Sequence, residues 1–233
     1  NTASLLASGG GTYTWNGGAL VNANGAAQTV SPGATTSYTV TVTNGFGCQQ
    51  NDTMTVNVNT TPSTSAGPDI AICTADTAQL NATGAGTFSW NPSTGLNNPN
   101  ISNPQANPAL TTTYTVTLTA GNGCSINDTI TVNVNSRPTA IASNDTTICS
   151  GSTISITSSG GGTYAWNGGA LVNAPGATQS VTVSSTTDYI VTVTAANGCT
   201  DKDTVNVAVN ALPATNAGPD VSICPNSSTQ LNA

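Results

Sequence analysis

From residue 113 to residue 119, apolar and polar side chains alternate without a break. Tyr114, Val116 and Leu118 fall on one side, and Thr113, Thr115, Thr117 and Thr119 on the other. The same period of two runs through Ile130, Val132 and Val134, through Tyr38, Val40 and Val42, and through Val205, Val207 and Val209. A strand with one apolar side must bury it, so the pattern predicts two sheets packed face to face. Around the middle pair of alternating runs, further short strands are expected at "DIAIC" (69–73), "AQLNA" (78–82) and "TFSWN" (87–91). "TYTVTLT" (113–119) and "TITVNVN" (129–135) complete that set, and a Pro- and Asn-rich stretch (97–108) is expected to hold short edge strands.

The whole pattern recurs. Trp15, Trp90 and Trp166 align, and two sets of cysteines align with them: Cys48, Cys124 and Cys199, then Cys73, Cys149 and Cys224. The period is 75–76 residues. It predicts a first repeat at 1–59 that lacks its opening strand, and complete repeats at 64–135 and 139–210. The opening two strands of a fourth repeat follow at 215–233. With neither end closed, the chain is expected to be a window on a longer exported protein. The copies are not equivalent. "WNGGALVNA" (15–23) returns at 166–174, whereas the second copy reads "WNPSTGLNN" (90–98). A spacing of 151 residues separates both Trp15 from Trp166 and Cys73 from Cys224, so the repeating unit is a pair of domains. A regular fibre lattice calls for such a two-domain period; duplication of a domain pair yields the same pattern with no structural demand.

A tryptophan on the third strand and a tyrosine opening a later one are the anchors of an immunoglobulin-like sandwich. Trp15, Trp90, Trp166, Tyr38, Tyr114 and Tyr189 are therefore expected core residues. Moreover, "AGPDIAIC" (66–73), "TYTVTLTAGNGC" (113–124) and "DTITVNV" (128–134) resemble the Ig-like and PKD-like repeats of giant surface proteins. Gliding, adhesive bacteria export those proteins by the type IX secretion route. The resemblance covers the whole chain in register. It implies an all-β fold of tandem immunoglobulin-like (PKD-like) β-sandwich domains in an elongated array, secreted to the bacterial cell surface. Such repeats serve as stalks, adhesins and filament bodies.

Six cysteines, with no histidine to share a metal, fit an oxidising compartment. In a sandwich of alternating strands, the turn after the first strand and the loop before the last lie at opposite poles. Strands of about seven residues at ~3.3 Å per residue separate those poles by ~20 Å, and a disulfide needs Cα atoms within ~7 Å. In a tandem array the lower pole of one domain faces the upper pole of the next. This favours Cys73 with Cys199 across a junction, with Cys48, Cys124, Cys149 and Cys224 paired to repeats outside the sequence. An intradomain set, Cys73–Cys124 and Cys149–Cys199, stays open if a long loop folds back. So do linker-spanning pairs (Cys48–Cys73, Cys124–Cys149, Cys199–Cys224) and interchain bonds.

Six of the nine acids, all aspartates, recur by position. Asp69, Asp145 and Asp220 precede one cysteine set by four residues, and Asp52, Asp128 and Asp203 follow the other by four. The first three are calcium candidates, since calcium takes clustered carboxylates; turn chemistry, with Asp accepting nearby backbone N–H groups, is the alternative. Thr53, Thr77, Thr129, Thr146 and Thr204 each follow an aspartate. These Asp-Thr-x triplets resemble the O-glycan acceptor motif of the same group of bacteria.

Composition removes other functions. The net charge is −7, with only Arg137 and Lys202 as bases, which suits neither nucleic acid nor a polybasic membrane contact. No apolar run approaches ~18 residues, so no segment is expected to insert into a membrane. With no histidine and no glutamate, no triad or histidine-based acid–base pair can be built, and neither an enzyme nor a cofactor is expected. The stretch at 93–109 is the best candidate for direct partner recognition. The expected role is structural: the body of a multi-chain, self-associating surface filament or adhesin, with any target bound elsewhere in the full protein. A monomeric stalk presenting a distal domain and an array of carbohydrate-binding modules are the alternatives.

Overall fold

Threonine, valine and asparagine in alternation leave little but strands to form, and strands run almost throughout. The computed structural model describes residues 1–230; Leu231–Ala233, at the end of the expected fourth repeat, lie outside them. Among the described residues there are twenty strands and no helix, hence none long and apolar enough to cross a membrane. The protein is all-β, built of tandem immunoglobulin-like sandwiches. It divides into two compact units, Asn1–Ile70 with Thr77–Val132, and Ala71–Asp76 with Asn133 onward.

The first unit begins with β1 (Ala3–Leu6), β2 (Thr12–Gly17), β3 (Leu20–Asn24), β4 (Ala27–Val30), β5 (Thr36–Thr43) and β6 (Gln49–Val56). β1 pairs with β4, and a second sheet runs β3-β2-β5-β6. Leu5, Trp15, Val30, Tyr38 and Val40 fill the space between them. β7 (Ile70–Cys73), β8 (Ala78–Gln79), β9 (Thr87–Asn91), β10 (Gln105–Ala106), β11 (Thr112–Thr119) and β12 (Ser125–Asn135) follow, as sheets β8-β10 and β7-β12-β11-β9. Here Leu80, Trp90, Tyr114, Val116, Leu118 and Ile130 are buried.

Two strands differ from their sequence expectations. "AQLNA" pairs only at Ala78–Gln79. Beyond that point the N–H groups of Leu80 and Ala82 donate to Pro104 O and Ser102 O, and proline has no N–H with which to return the ladder. "TITVNVN" extends back to Ser125, because Asp128, Asn127 and Ile126 continue the pairing with Val116, Thr117 and Leu118.

In the second unit lie β13 (Ile141–Ala142), β14 (Thr146–Cys149), β15 (Ser152–Ser159), β16 (Thr163–Gly168), β17 (Leu171–Pro175), β18 (Thr178–Val183), β19 (Thr187–Thr194) and β20 (Thr200–Asn210). Sheets β13-β15-β18 and β14-β20-β19-β16-β17 enclose a core around Trp166, Tyr189, Val191 and Val205. β14 runs parallel to β20, whereas β19 pairs antiparallel with both β16 and β20. Residues 211–230 form no strand, although the opening of a fourth repeat was expected there. The first strand of a repeat needs the last strand as its partner, as β14 needs β20, and no described strand offers that edge to residues 220–224.

The sequence alternation is an alternation of edge structure. "WNGGALVNA" folds into the hairpin β2–β3, and its copy at 166–174 into β16–β17, each with a register shift at the same place. Gly17 and Gly168 sit there at φ +128° and +133°, where side chains are rarely tolerated. In the second copy Pro92 stands at this point, and Trp90 N–H instead donates to Pro99 O, so β9 ends its sheet. All three copies share one close approach. A Cβ at Gly11, Gly86 or Gly162 would come within 2.2–2.3 Å of the carbonyl oxygen of Thr43, Thr119 or Thr194. Trp166→Ala is expected to lower the stability of the second unit by about 3–5 kcal/mol, read as an earlier urea midpoint by circular dichroism.

Candidate functional site

The loop after β7 is short and strongly turned. Asp76 N–H closes on Cys73 O at 2.9 Å, with Ala75 between them at φ +70°. Residues 71–76 nonetheless belong to the second unit, and a cluster of bonds holds them there. Cys73 is disulfide-bonded to Cys199 across 126 residues of sequence, with Cα atoms 5.7 Å apart. Thr74 N–H donates to Asn135 O at 2.8 Å. Arg137 donates from Nε to Thr74 O (3.1 Å), from Nη1 to Thr200 O (2.8 Å) and from Nη2 to the Asp76 carboxylate. This arginine is the chain's only one, and sequence reasoning assigned it nothing beyond its charge. Its place two residues beyond the end of β12, between successive repeats, was the available signal.

The other half of the bond sits in a preformed turn. Asn197 Oδ1 accepts Cys199 N–H at 3.0 Å, Ala195 N–H donates to Cys199 O, and Asn197 Nδ2 reaches Ser136 O. Cys199 is buried, 1% exposed. The turn recurs at Ala120–Cys124, where Asn122 Nδ2 reaches Thr60 O, and at Asn44–Cys48 with Phe46 in the place of that asparagine. Cys48, Cys124, Cys149 and Cys224 are free thiols, and neither Cys73–Cys124 nor Cys149–Cys199 forms.

The recurrent aspartates act in pairs between the first and last strands of a repeat. Asp128 Oδ2 accepts Ala66 N–H at 2.8 Å, and Asp69 Oδ1 accepts Thr131 N–H at 2.8 Å. One period later Asp203 accepts Ala142 N–H at 2.7 Å and Asp145 accepts Asn206 N–H at 2.8 Å. The Ala66 amide, then that of Thr129, hold the Asp128 carboxyl below its ordinary range. Asp201 is lowered chiefly by the Ala140 amide, then by that of Lys202, with Arg137 assisting. Among the described residues no three His, Cys, Asp or Glu side chains converge as metal ligands. Asp69 and Asp145 face backbone amides in different sandwiches, and Asp220 lies in the segment without strands.

The remaining candidates are scattered. Thr53, Thr77, Thr129 and Thr204 are exposed and Thr146 is half-buried. Thr53 shares a hydroxyl hydrogen bond with Thr39, and Thr77 accepts from Asn107 Nδ2. The three indoles are buried, and their N–H groups donate to Gly25 O, Ile101 O and Gly176 O, so they offer no sugar-stacking face. Tyr38, Tyr114 and Tyr189 are buried as well, and burial raises the phenol pKa of the last two. The stretch at 93–109 folds on itself through bonds such as Asn107 N–H to Gly95 O and Gln105 N–H to Asn97 Oδ1. A groove of about 670 Å³ lies along β6, lined by Leu6, Trp15, Val42, Asp52 and Met54 among others.

No protein-family model and no curated protein matches the sequence. Among solved structures, the chain is similar to fibronectin(III)-like modules of Clostridium thermocellum CbhA, at 12% identity over 65% of this chain and 96% of that one, TM-score 0.34. It is similar also to the N-terminal Ig1-2 module of the Drosophila receptor protein tyrosine phosphatase DLAR (12%, 65% and 100%, TM-score 0.29). A third is the insect immune protein hemolin (14%, 85% and 67%, TM-score 0.36), whose arrangement is described with implications for homophilic adhesion. At these identities and scores the likeness carries no functional weight.

Cys73→Ser is expected to lower the stability of the second unit by about 2–5 kcal/mol, since the bond closes a very long loop. Arg137→Ala is expected to cost about 1 kcal/mol or less, because its ion pair is more than one-third exposed. Both are read by urea unfolding. The Asp201 pKa lies below the unfolded value of ~3.9, so its contribution is present above pH ~4 and lost as pH falls through the folded pKa. Asp201→Asn is therefore expected to flatten the loss of stability between pH 5 and pH 2 relative to the parent.

Proposed function

We propose that the chain is a load-bearing section of an extracellular structural protein, the shaft of a bacterial surface filament or adhesin built from several chains. The observation that carries this reading is the Cys73–Cys199 bond. It joins the strand end of one sequence repeat to a loop of the next, and Arg137 clasps the same two segments. Domains in tandem move independently by default, and a covalent tie between successive repeats opposes that motion. The alternating sequence types supply a two-domain period, which lateral packing into a lattice uses and a lone tether does not. A surface of threonine, asparagine and serine, with 5% charged residues, lowers the desolvation cost of laying chains side by side. A disulfide between Cys73 and Cys199 suits an oxidising, extracellular setting. The aspartates of the repeats hold backbone amides, and the sequence has neither histidine nor glutamate, which supports a structural reading.

Cryo-electron microscopy of material taken from the cell surface without reduction tests the reading. The expected result is a multi-chain fibre with an axial repeat of two domains. Single, freely bending strings of beads would reduce the protein to a spacer and overturn the filament reading.

A further inference from the structure

The two sulfurs of the Cys73–Cys199 bond are unequally placed. Cys199 is 1% exposed. Its turn is closed by bonds from Ala195 N–H to Cys199 O, from Cys199 N–H to Asn197 Oδ1 and from Asn197 Nδ2 to Ser136 O. Cys73 is half-buried, and the two residues after it, Thr74 and Ala75, are exposed. An outside thiolate opens a disulfide by attacking one of its two sulfurs, so access decides which sulfur is taken. In this bond the accessible side is Cys73.

The segments carrying the two cysteines are also held together by bonds that do not involve sulfur, all of them within the second unit. Thr74 donates to Asn135 O from its N–H at 2.8 Å and from its hydroxyl at 3.1 Å. Arg137 donates to Thr74 O and to Thr200 O, the carbonyls of the residues that follow each cysteine. One rigid, planar guanidinium thus fixes both partners at their next residues. Asn135 O lies 3.9 Å from Cys199 Sγ, an acceptor for the buried thiol once the bond is open.

We propose that Cys73 is an exchange site: it takes a low-molecular-weight thiol such as glutathione as a mixed disulfide, with Cys199 as the buried resolving thiol and Arg137 as the residue positioning the pair. This goes beyond the structural role above and holds for a fibre and a lone stalk alike. In the opening step the outside thiolate bonds to Cys73 Sγ, the Cys73–Cys199 bond breaks, and Cys199 leaves as a thiolate that takes up a proton. In the closing step the Cys199 thiolate attacks Cys73 Sγ and expels the small thiolate. One S–S bond replaces another in each step, with no net oxidation. Closure is intramolecular between groups already in place, which favours it over escape. The junction therefore opens and reseals without its segments parting.

The test uses the full chain with its disulfide intact and its free thiols capped by iodoacetamide while folded. Reduced glutathione is added, and samples are quenched in acid, unfolded, alkylated with N-ethylmaleimide and peptide-mapped. Glutathione on Cys73 with maleimide on Cys199 is expected to exceed the reverse arrangement by about tenfold or more. In urea, where burial is lost, the two arrangements are expected to approach parity. Arg137→Ala is expected to keep the preference for Cys73 and to raise the standing fraction of mixed disulfide roughly threefold, because closure slows. Equal capture at both sulfurs of the folded chain, capture mainly at Cys199, or a preference for Cys73 that persists in urea overturns the assignment of Cys73. A bond that admits no glutathione until the chain is unfolded overturns the exchange site. An unchanged standing fraction in Arg137→Ala overturns the positioning role.

Discussion

The structure depends on one constraint: in the second and third repeats the first strand must find its last strand about sixty residues later, and that edge must be satisfied. Backbone pairing supplies the ladder, and two aspartates close it from both sides, Asp69 and Asp128 in one repeat, Asp145 and Asp203 in the next. A short carboxylate suits the task because it reaches an amide on the neighbouring strand without a long side chain to order. The anionic form makes the stronger acceptor, and the lowered pKa of Asp128 records that preference. In a chain with so few charges, spending four of nine acids (Asp69, Asp128, Asp145 and Asp203) on bonds between first and last strands puts the electrostatics where a register slip would cost most.

Much of this was legible in the alternation of side chains. Tyr114, Val116 and Leu118 are buried together on β11 because a period of two leaves them no other face. Less legible was anything set by irregular backbone. The strand expected at 78–82 shrinks to two residues because its later amides are taken by a proline-interrupted segment, an exchange no side-chain pattern reports. The same holds for Arg137. Its three hydrogen bonds go mainly to carbonyls of Thr74 and Thr200, and every residue has a carbonyl. The sequence therefore carries no mark of the partner, only of the lone cation.

The contrast between "WNGGALVNA" and "WNPSTGLNN" illustrates how little covalent change alters an edge. Two glycines permit a hairpin and hence an additional strand, β3 or β17, at the end of the sheet. A proline at the equivalent point withholds an N–H and leaves β9 as the border. Edge strands are where sheets meet other chains, so alternate repeats differ at the very surface through which neighbours would be chosen. Duplication of a domain pair explains how the difference is inherited. It does not explain why the difference falls on an edge rather than in the core, where Trp15, Trp90 and Trp166 are equally buried.

A strand edge is at once the strongest support in such a fold and its main hazard. Within a repeat the edge is closed by a strand from the same repeat, and the disulfide then ties that strand's end to the following repeat. The two devices act on different quantities. Pairing and the aspartates fix register, which is local and reversible, while the bond limits how far successive segments separate, which matters under tension. Burial of Cys199 shields its sulfur from direct attack by outside thiols and leaves half-buried Cys73 as the side open to exchange.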